Sequence, residues 1–335
     1  MDSVKPMAAR ADSLLFSSIF PRRNALTGLR LFHSLRSASS RAIDARRSSS
    51  KLVSRRMASA SSDTRDAPPP IHTITLPGGD SVQIVAAPGL SNSDLRNAID
   101  SALFRQWLKN MQSEMGVLSR GQMCLRQVHI QGLDMFGTGV GFLKFKADVV
   151  EKETGRKIPG IVFARGPSVA VLILLESGGE TYVVLTEQVR VPVGKFILEL
   201  PAGMLDDERG DVVGTAVREV EEETGICLNI EDMVNLTAFL DPTTGCKVFP
   251  SPGGCDEELS LFLYRGHVEE QIINSLQGKE MGLRDHGELI KVHVVPYVKL
   301  WRVTADAKAL AAIALYEMAK RDGLLPQRNV QNLST

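Results

Sequence analysis

The chain has 335 residues, 43% hydrophobic and 23% charged, which is enough for one large or two modest domains with ample core. Its formal charge of zero conceals a split: residues 1–62 carry ten Arg and two Lys against three Asp and no Glu, a net of +9, and the rest carries 27 basic and 36 acidic residues, a net of −9. An acidic body argues against nucleic acid as a main partner, and no stretch approaches the roughly 18 consecutive apolar residues of a membrane span.

Fifteen of the first 62 residues are Ser. A Ser/Arg-rich, Glu-free leader without an apolar h-region resembles an organellar transit peptide. We expect it to address plastids; mitochondria are the alternative, because leaders of the two kinds share this composition. A disordered basic arm for nucleic acid is the competing reading. Met57, followed by Ala-Ser-Ala-Ser-Ser, is a candidate second start that would yield an untargeted, cytosolic form. Residues 63–70, ending in Pro68-Pro69-Pro70, read as a linker.

Two short strands, His72–Leu76 and Ser81–Ala86, flank Leu-Pro-Gly-Gly as a hairpin. Ser93 then caps a helix running to about Met115, with Leu95, Ile99, Leu103 and Trp107 as its buried stripe. Strands return over 125–150, split by Gly137-Thr138-Gly139. Residues 71–150 therefore read as a small α+β region. Hairpins and one amphipathic helix are too little to bury a comfortable core, so this region is expected to pack on the following domain of a second subunit in a two-fold homodimer. From Ile158 the strands turn strongly apolar: Ser168–Leu175, Tyr182–Thr186 and Phe196–Leu200. A charged helix follows, then strands at Asn235–Leu240, Leu259–Tyr264 and Ile290–Val295. Two helical stretches close the domain, the last being Asp306–Lys320 with Leu310, Ile313 and Ala314 facing inward. This alternation predicts an α/β fold over 151–325, an α/β/α sandwich around a mixed sheet, with 326–335 as a polar tail. The four cysteines, Cys124, Cys227, Cys246 and Cys255, have no metal-ligand spacing and read as free thiols.

The chemistry concentrates in Leu200–Ile226. Glu219, Glu222 and Glu223 stand at i, i+3 and i+4, which brings three carboxylates onto one helix face. Like charges so placed repel by about 0.2–0.5 kcal/mol per pair, and a cation relieves them. Three converging carboxylates suit a hard ion such as Mg²⁺ or Mn²⁺. Asp211 is placed to cap this helix and Gly225 to close it, and Pro201-Ala202-Gly203 is a tight turn whose carbonyls can face an ion.

Arg218-Glu219-Val220-Glu221-Glu222-Glu223-Thr224-Gly225-Ile226 resembles the second half of the Nudix box, R-E-U-x-E-E-x-G-U with U apolar, at every fixed position. Gly203 supplies the opening glycine. The first half departs from the pattern: Gly203 to Arg218 is fifteen residues where the box has fourteen, and its upstream glutamate falls on Gly210, with Glu208 the nearest carboxylate. Thr186-Glu187-Gln188-Val189-Arg190 is similar to the EQ-x-R segment of the family's ADP-sugar pyrophosphatases. Ser251-Pro252-Gly253-Gly254-Cys255-Asp256-Glu257-Glu258 is similar to their SPGG-x-x-E loop, and His286-Gly287-Glu288 to the acidic loop feeding a strand.

The resemblance implies a Nudix fold and Mg²⁺- or Mn²⁺-dependent hydrolysis of a nucleoside diphosphate sugar to a nucleotide and a sugar phosphate, as in the plastid ADP-sugar branch. It implies metal ligation by Glu219, Glu222, Glu223, Glu288 and the Ala202 carbonyl. It places Arg190, Glu257 and Arg165 at the substrate, with Arg190 near the phosphates. Glu222 and Glu288 become catalytic candidates, and Glu288 activates water. His286 stands where bacterial relatives carry an acid and is the alternative base. UDP-sugars are an alternative substrate class, and a catalytically silent nucleotide sensor an alternative role.

Overall fold

The structure, a computed structural model, describes residues 68–205, 211–282 and 288–327. Its first sheet contains β1 (Ile71–Thr75), β2 (Ser81–Ala86), β3 (Met123–Phe136), β4 (Gly139–Glu151), β5 (Lys157–Ile158) and β6 (Ile161–Ala164). The strands run in that order from β1 to β5, with β6 also beside β4. β1 and β2 form the expected antiparallel hairpin, whereas β2 and β3 are parallel. That crossover is made by α1 (Asn92–Asp100) and α2 (Ala102–Gln112).

The one long helix expected here is therefore two. Ser101 breaks it, in extended conformation with φ −68° and ψ 147°. Its Oγ accepts from Phe104 N at 3.1 Å and donates to Ala98 O at 2.7 Å, closing one helix and opening the next. A serine offers this local bonding as an alternative to continuing the helix. The start also moves: Ser91, not Ser93, is the N-cap, in a reciprocal capping box with Asp94. The two short helices lay Leu95, Ala98, Phe104 and Trp107 against the sheet, where Trp107 meets Phe145 edge-on with ring centroids 4.7 Å apart. The region thus buries a core of its own, contrary to the expectation that it has too little apolar surface.

The second sheet contains β7 (Ser168–Ser177), β8 (Glu180–Arg190), β9 (Lys195–Glu199), β10 (Ala202–Met204), β11 (Val234–Asn235), β12 (Leu259–His267), β13 (Glu280–Met281) and β14 (Ile290–Pro296). Its order is β11-β12-β7-β8-β14-β13, with β10 beside β7 and β9 beside β8. β12 runs parallel to β7 and the other pairs are antiparallel, so the sheet is mixed. The uninterrupted apolar run of β7 follows from burial on both faces. Val169, Val171, Ile173 and Leu175 pack beneath α3 (Val212–Thr224) and α4 (Glu270–Leu276). Ala170, Leu172 and Leu174 pack beneath α6 (Ala307–Arg321) and Leu300 of α5 (Leu300–Val303). This is the expected α/β/α sandwich.

Two local expectations change. The strand at Asn235–Leu240 is cut to two residues because Thr237–Phe239 coils into a 3₁₀ turn. Asn235 Oδ1 accepts from Thr237 Oγ1 and Ala238 N there, a turn-forming pattern. On α6 the inward face is Ala309, Ala312, Tyr316 and Ala319, with Ile313 partly buried against the same core as expected, while Leu310 and Ala314 point outward. Small alanines let the helix approach the sheet closely, a signal weaker in sequence than bulky leucines. No helix among the described residues is long and apolar enough to cross a membrane. All four cysteines are free.

Candidate active site

α3 follows its sequence signals. Asp211 caps it by accepting from Gly214 N, and Gly225 ends it in left-handed conformation with φ +74°. The helix lies across β10, and β10 acts as the spine of the site. Ala202 donates its amide to Glu223 Oε2 at 3.1 Å. Gly203 lies under Glu219: a Cβ at 203 would collide with the carboxyl carbon of that side chain. Met204 Sδ accepts from Arg165 Nη2 at 2.9 Å. Three consecutive residues thus touch three residues expected in the site.

Glu223 is buried, and its Oε1 accepts from Gln188 Nε2 at 2.8 Å. Burial pushes its pKa up to about 8, opposed by the Ala202 amide and reinforced by the charge of Glu219. Glu222 is half-exposed on the same face, with Arg218 Nε 4.0 Å from its Oε1. Among the described residues no three His, Cys, Asp or Glu side chains are already gathered into a metal centre. The donor set nevertheless fits a hard cation. It is all oxygen and lies along one helix face. Its most buried member, Glu223, is hydrogen-bonded by two neutral donors, and burial together with the charge of Glu219 penalises its ionised form, which a bound cation would relieve.

Arg190 ends β8 two residues after Gln188, so both point to one face of the strand. Its charge reaches Glu223, and its Nε and Nη2 fork onto Glu199 at 2.6 and 3.1 Å. Arg165 and Glu257 come together as expected of neighbours in one site: Nη1 lies 3.4 Å from Oε2, and Ser168 Oγ donates to Glu257 Oε1 at 2.7 Å. The adjacent acids are occupied too. Asp256 accepts from the amides of Arg165 and Gly166, and burial raises its pKa against those two bonds. Glu258 accepts from Asn110 Nδ2 of α2. The Ser-Pro-Gly-Gly loop also accepts, at Gly254 O, from Phe163 N of β6 at 2.7 Å. That loop therefore joins the first sheet to the site.

Glu288 is exposed just ahead of β14. His286, Gly210 and Glu208 lie outside the described residues, so the alternative base and the longer box loop have no structural account. Ser168, Glu199 and Asn110 join the site without having been singled out in sequence, and Gln188, quoted there only as part of the EQ-x-R segment, joins it through Glu223. Gln188 was readable from the two-residue period of a strand; the other three depend on contacts between elements far apart in the chain.

Comparison with known proteins identifies the family. The NUDIX domain family matches residues 164–315, which run from the end of β6 into α6. "Nudix hydrolase 14, chloroplastic" of Arabidopsis thaliana is 67% identical over 261 residues, covering 77% of this chain and 84% of its own. The "Methanol dehydrogenase activator" of Bacillus methanolicus is 30% identical over 176 residues, covering 52% and 85%. The "ADP-ribose pyrophosphatase" of Bacillus subtilis (strain 168) is 29% identical over 172 residues, covering 50% and 82%. With a complete second half of the box on α3 and a relative this similar across most of both chains, the chain belongs to the Nudix hydrolase family and is a hydrolase.

Proposed function

We propose that the chain hydrolyses the pyrophosphate bond of ADP-sugars, ADP-glucose and ADP-ribose, giving AMP and a sugar phosphate. The observation that carries the reading is the carboxylate face of α3, with Glu219 resting on Gly203 and Glu223 buried among neutral donors. The names of the Bacillus subtilis and Arabidopsis relatives support the substrate class and a plastid location, which the Ser/Arg-rich leader also favours.

In this reading Glu219, Glu222, Glu223, Glu288 and the Ala202 carbonyl hold Mg²⁺ or Mn²⁺. The bound ion supplies positive charge to phosphoryl oxygens and lowers the pKa of the attacking water. Arg218 orients Glu222 through their ion pair. Arg190 binds phosphate oxygens, which a planar guanidinium forks well. Arg165, anchored by Glu257, meets the substrate beside it. Glu288 accepts the proton of the attacking water, with His286 the other candidate. Two copies associate through the exposed apolar surface of the first sheet, where Phe136 and Ile161 are each 63% accessible.

Turnover of ADP-glucose, ADP-ribose, UDP-glucose and NADH at equal concentration, read as nucleotide release with Mg²⁺, tests the proposal. AMP from the two ADP-sugars at the highest kcat/KM is the expected result. Preference for UDP-glucose moves the chain to the UDP-sugar class, and absence of turnover on all four leaves a nucleotide sensor.

A further inference from the structure

Four charged groups run inward from Arg190. Its guanidinium forks onto Glu199, a buried carboxylate at the end of β9. Lys308 Nζ, in the first turn of α6, reaches the same Glu199 Oε2 at 2.8 Å. Lys308 also lies 3.0 Å from Oδ1 of Asp306, the α6 N-cap. Thr304 fixes that cap from behind: its Oγ1 accepts from Asp306 N at 3.0 Å and donates to Leu198 O of β9 at 2.7 Å. The four side chains sum to zero charge, and only Arg190 is substantially exposed, at 41% for its side chain against 4%, 17% and 6% for Glu199, Lys308 and Asp306.

Lys308 has no place in the family box and lies more than a hundred residues from Glu199. Its position is informative. Arg190 Nη2 and Lys308 Nζ share one carboxylate oxygen, Oε2 of Glu199, at 3.1 and 2.8 Å. With Lys308 present, Glu199 is balanced from the inner side and holds Arg190 by its fork without cancelling its charge. Without Lys308, two buried carboxylates face a single cation, and the guanidinium is drawn inward and neutralised. We propose that Lys308, braced by Asp306, is a positioning residue that sets Arg190 for the substrate's phosphates through Glu199. This rests on the reading that Arg190 meets those phosphates.

The test is a kinetic double-mutant cycle on the full chain with an ADP-sugar and Mg²⁺. Lys308→Met removes the charge at similar length, Lys308→Arg retains it, and Arg190→Ala removes the group being positioned. A contact held equally in substrate and transition state acts on KM. Lys308→Met should therefore raise KM about tenfold, the scale of one weakened charge-assisted hydrogen bond, with kcat within about twofold. Lys308→Arg should restore most of it. Lys308→Met added to Arg190→Ala should cost nothing further, because the two act through one contact. A Lys308→Met enzyme with wild-type KM, or a double variant in which the two losses multiply, overturns the positioning role. If Arg190→Ala itself has wild-type KM, the phosphate reading of Arg190 fails and the inference fails with it. If Arg190→Ala is impaired and Lys308→Met is not, only the inference fails.

Discussion

Glu219 lies over the backbone of Gly203, in space that any other residue would fill. Gly203→Ala must displace that carboxylate or part β10 from α3. We expect activity to fall about a hundredfold or more, the scale of losing one electrostatic contact to the transition state, with thermal stability little changed. Wild-type turnover in this variant would show that Glu219 works from another position. Glu222→Gln and Glu223→Gln should each lower kcat by about the same factor, and near-normal turnover in both would remove the metal assignment. Glu223 also predicts a pH dependence of stability. Its folded pKa is raised from 4.5 to about 8 by burial, so between those values the native state holds a proton that the unfolded state has released. Stability of chelator-treated protein from this group is thus complete below about pH 4.5 and lost as pH rises to about 8. Melting temperatures over that range should fall less in Glu223→Gln than in wild type, and parallel curves would contradict the buried-carboxylate account.

At the scale of elements, what could be read in advance was what local chemistry dictates. The cap and terminal glycine of α3, the hairpin β1–β2 and the doubly buried β7 all have local causes: a side chain accepting backbone amides, a left-handed glycine, an unbroken apolar run. The break at Ser101 was missed because the apolar stripe continues across it, so periodicity alone sees one helix. The inward face of α6 was read only in part: Ile313 packs against the core, but alanines decide the rest through close packing. Ser101→Ala gives a direct check. It removes the cap of α2 and leaves the buried Phe104 amide without its partner, so a loss of about 1–2 kcal/mol is expected from urea unfolding. An unchanged midpoint would mean that the break is set by packing and not by the cap.

For the whole molecule, the carboxylate face was legible because helix periodicity places it, and Arg190 and Glu257 because their motifs match the family. The connections among parts were not legible. Asn110 to Glu258 and Lys308 to Glu199 each join residues over a hundred positions apart, and no local pattern marks such pairs. The first sheet has its own core, so the proposed homodimer would draw on its exposed apolar side chains, where Phe136, Phe142 and Phe163 form a ring cluster with successive centroids 5.3 Å apart. Light scattering at micromolar concentration should give twice the chain mass, and a monomer would remove the dimer from the account. The central claim is hydrolysis of an ADP-sugar at its pyrophosphate by the carboxylates of α3. It is tested most directly by incubating the protein with ADP-ribose in ¹⁸O-water and Mg²⁺, with chelator and Glu222→Gln controls. The account predicts AMP and ribose phosphate, one product carrying a single solvent oxygen on its phosphate, and about a hundredfold or greater loss in both controls. Cleavage that proceeds equally fast with chelator or in the variant would contradict it.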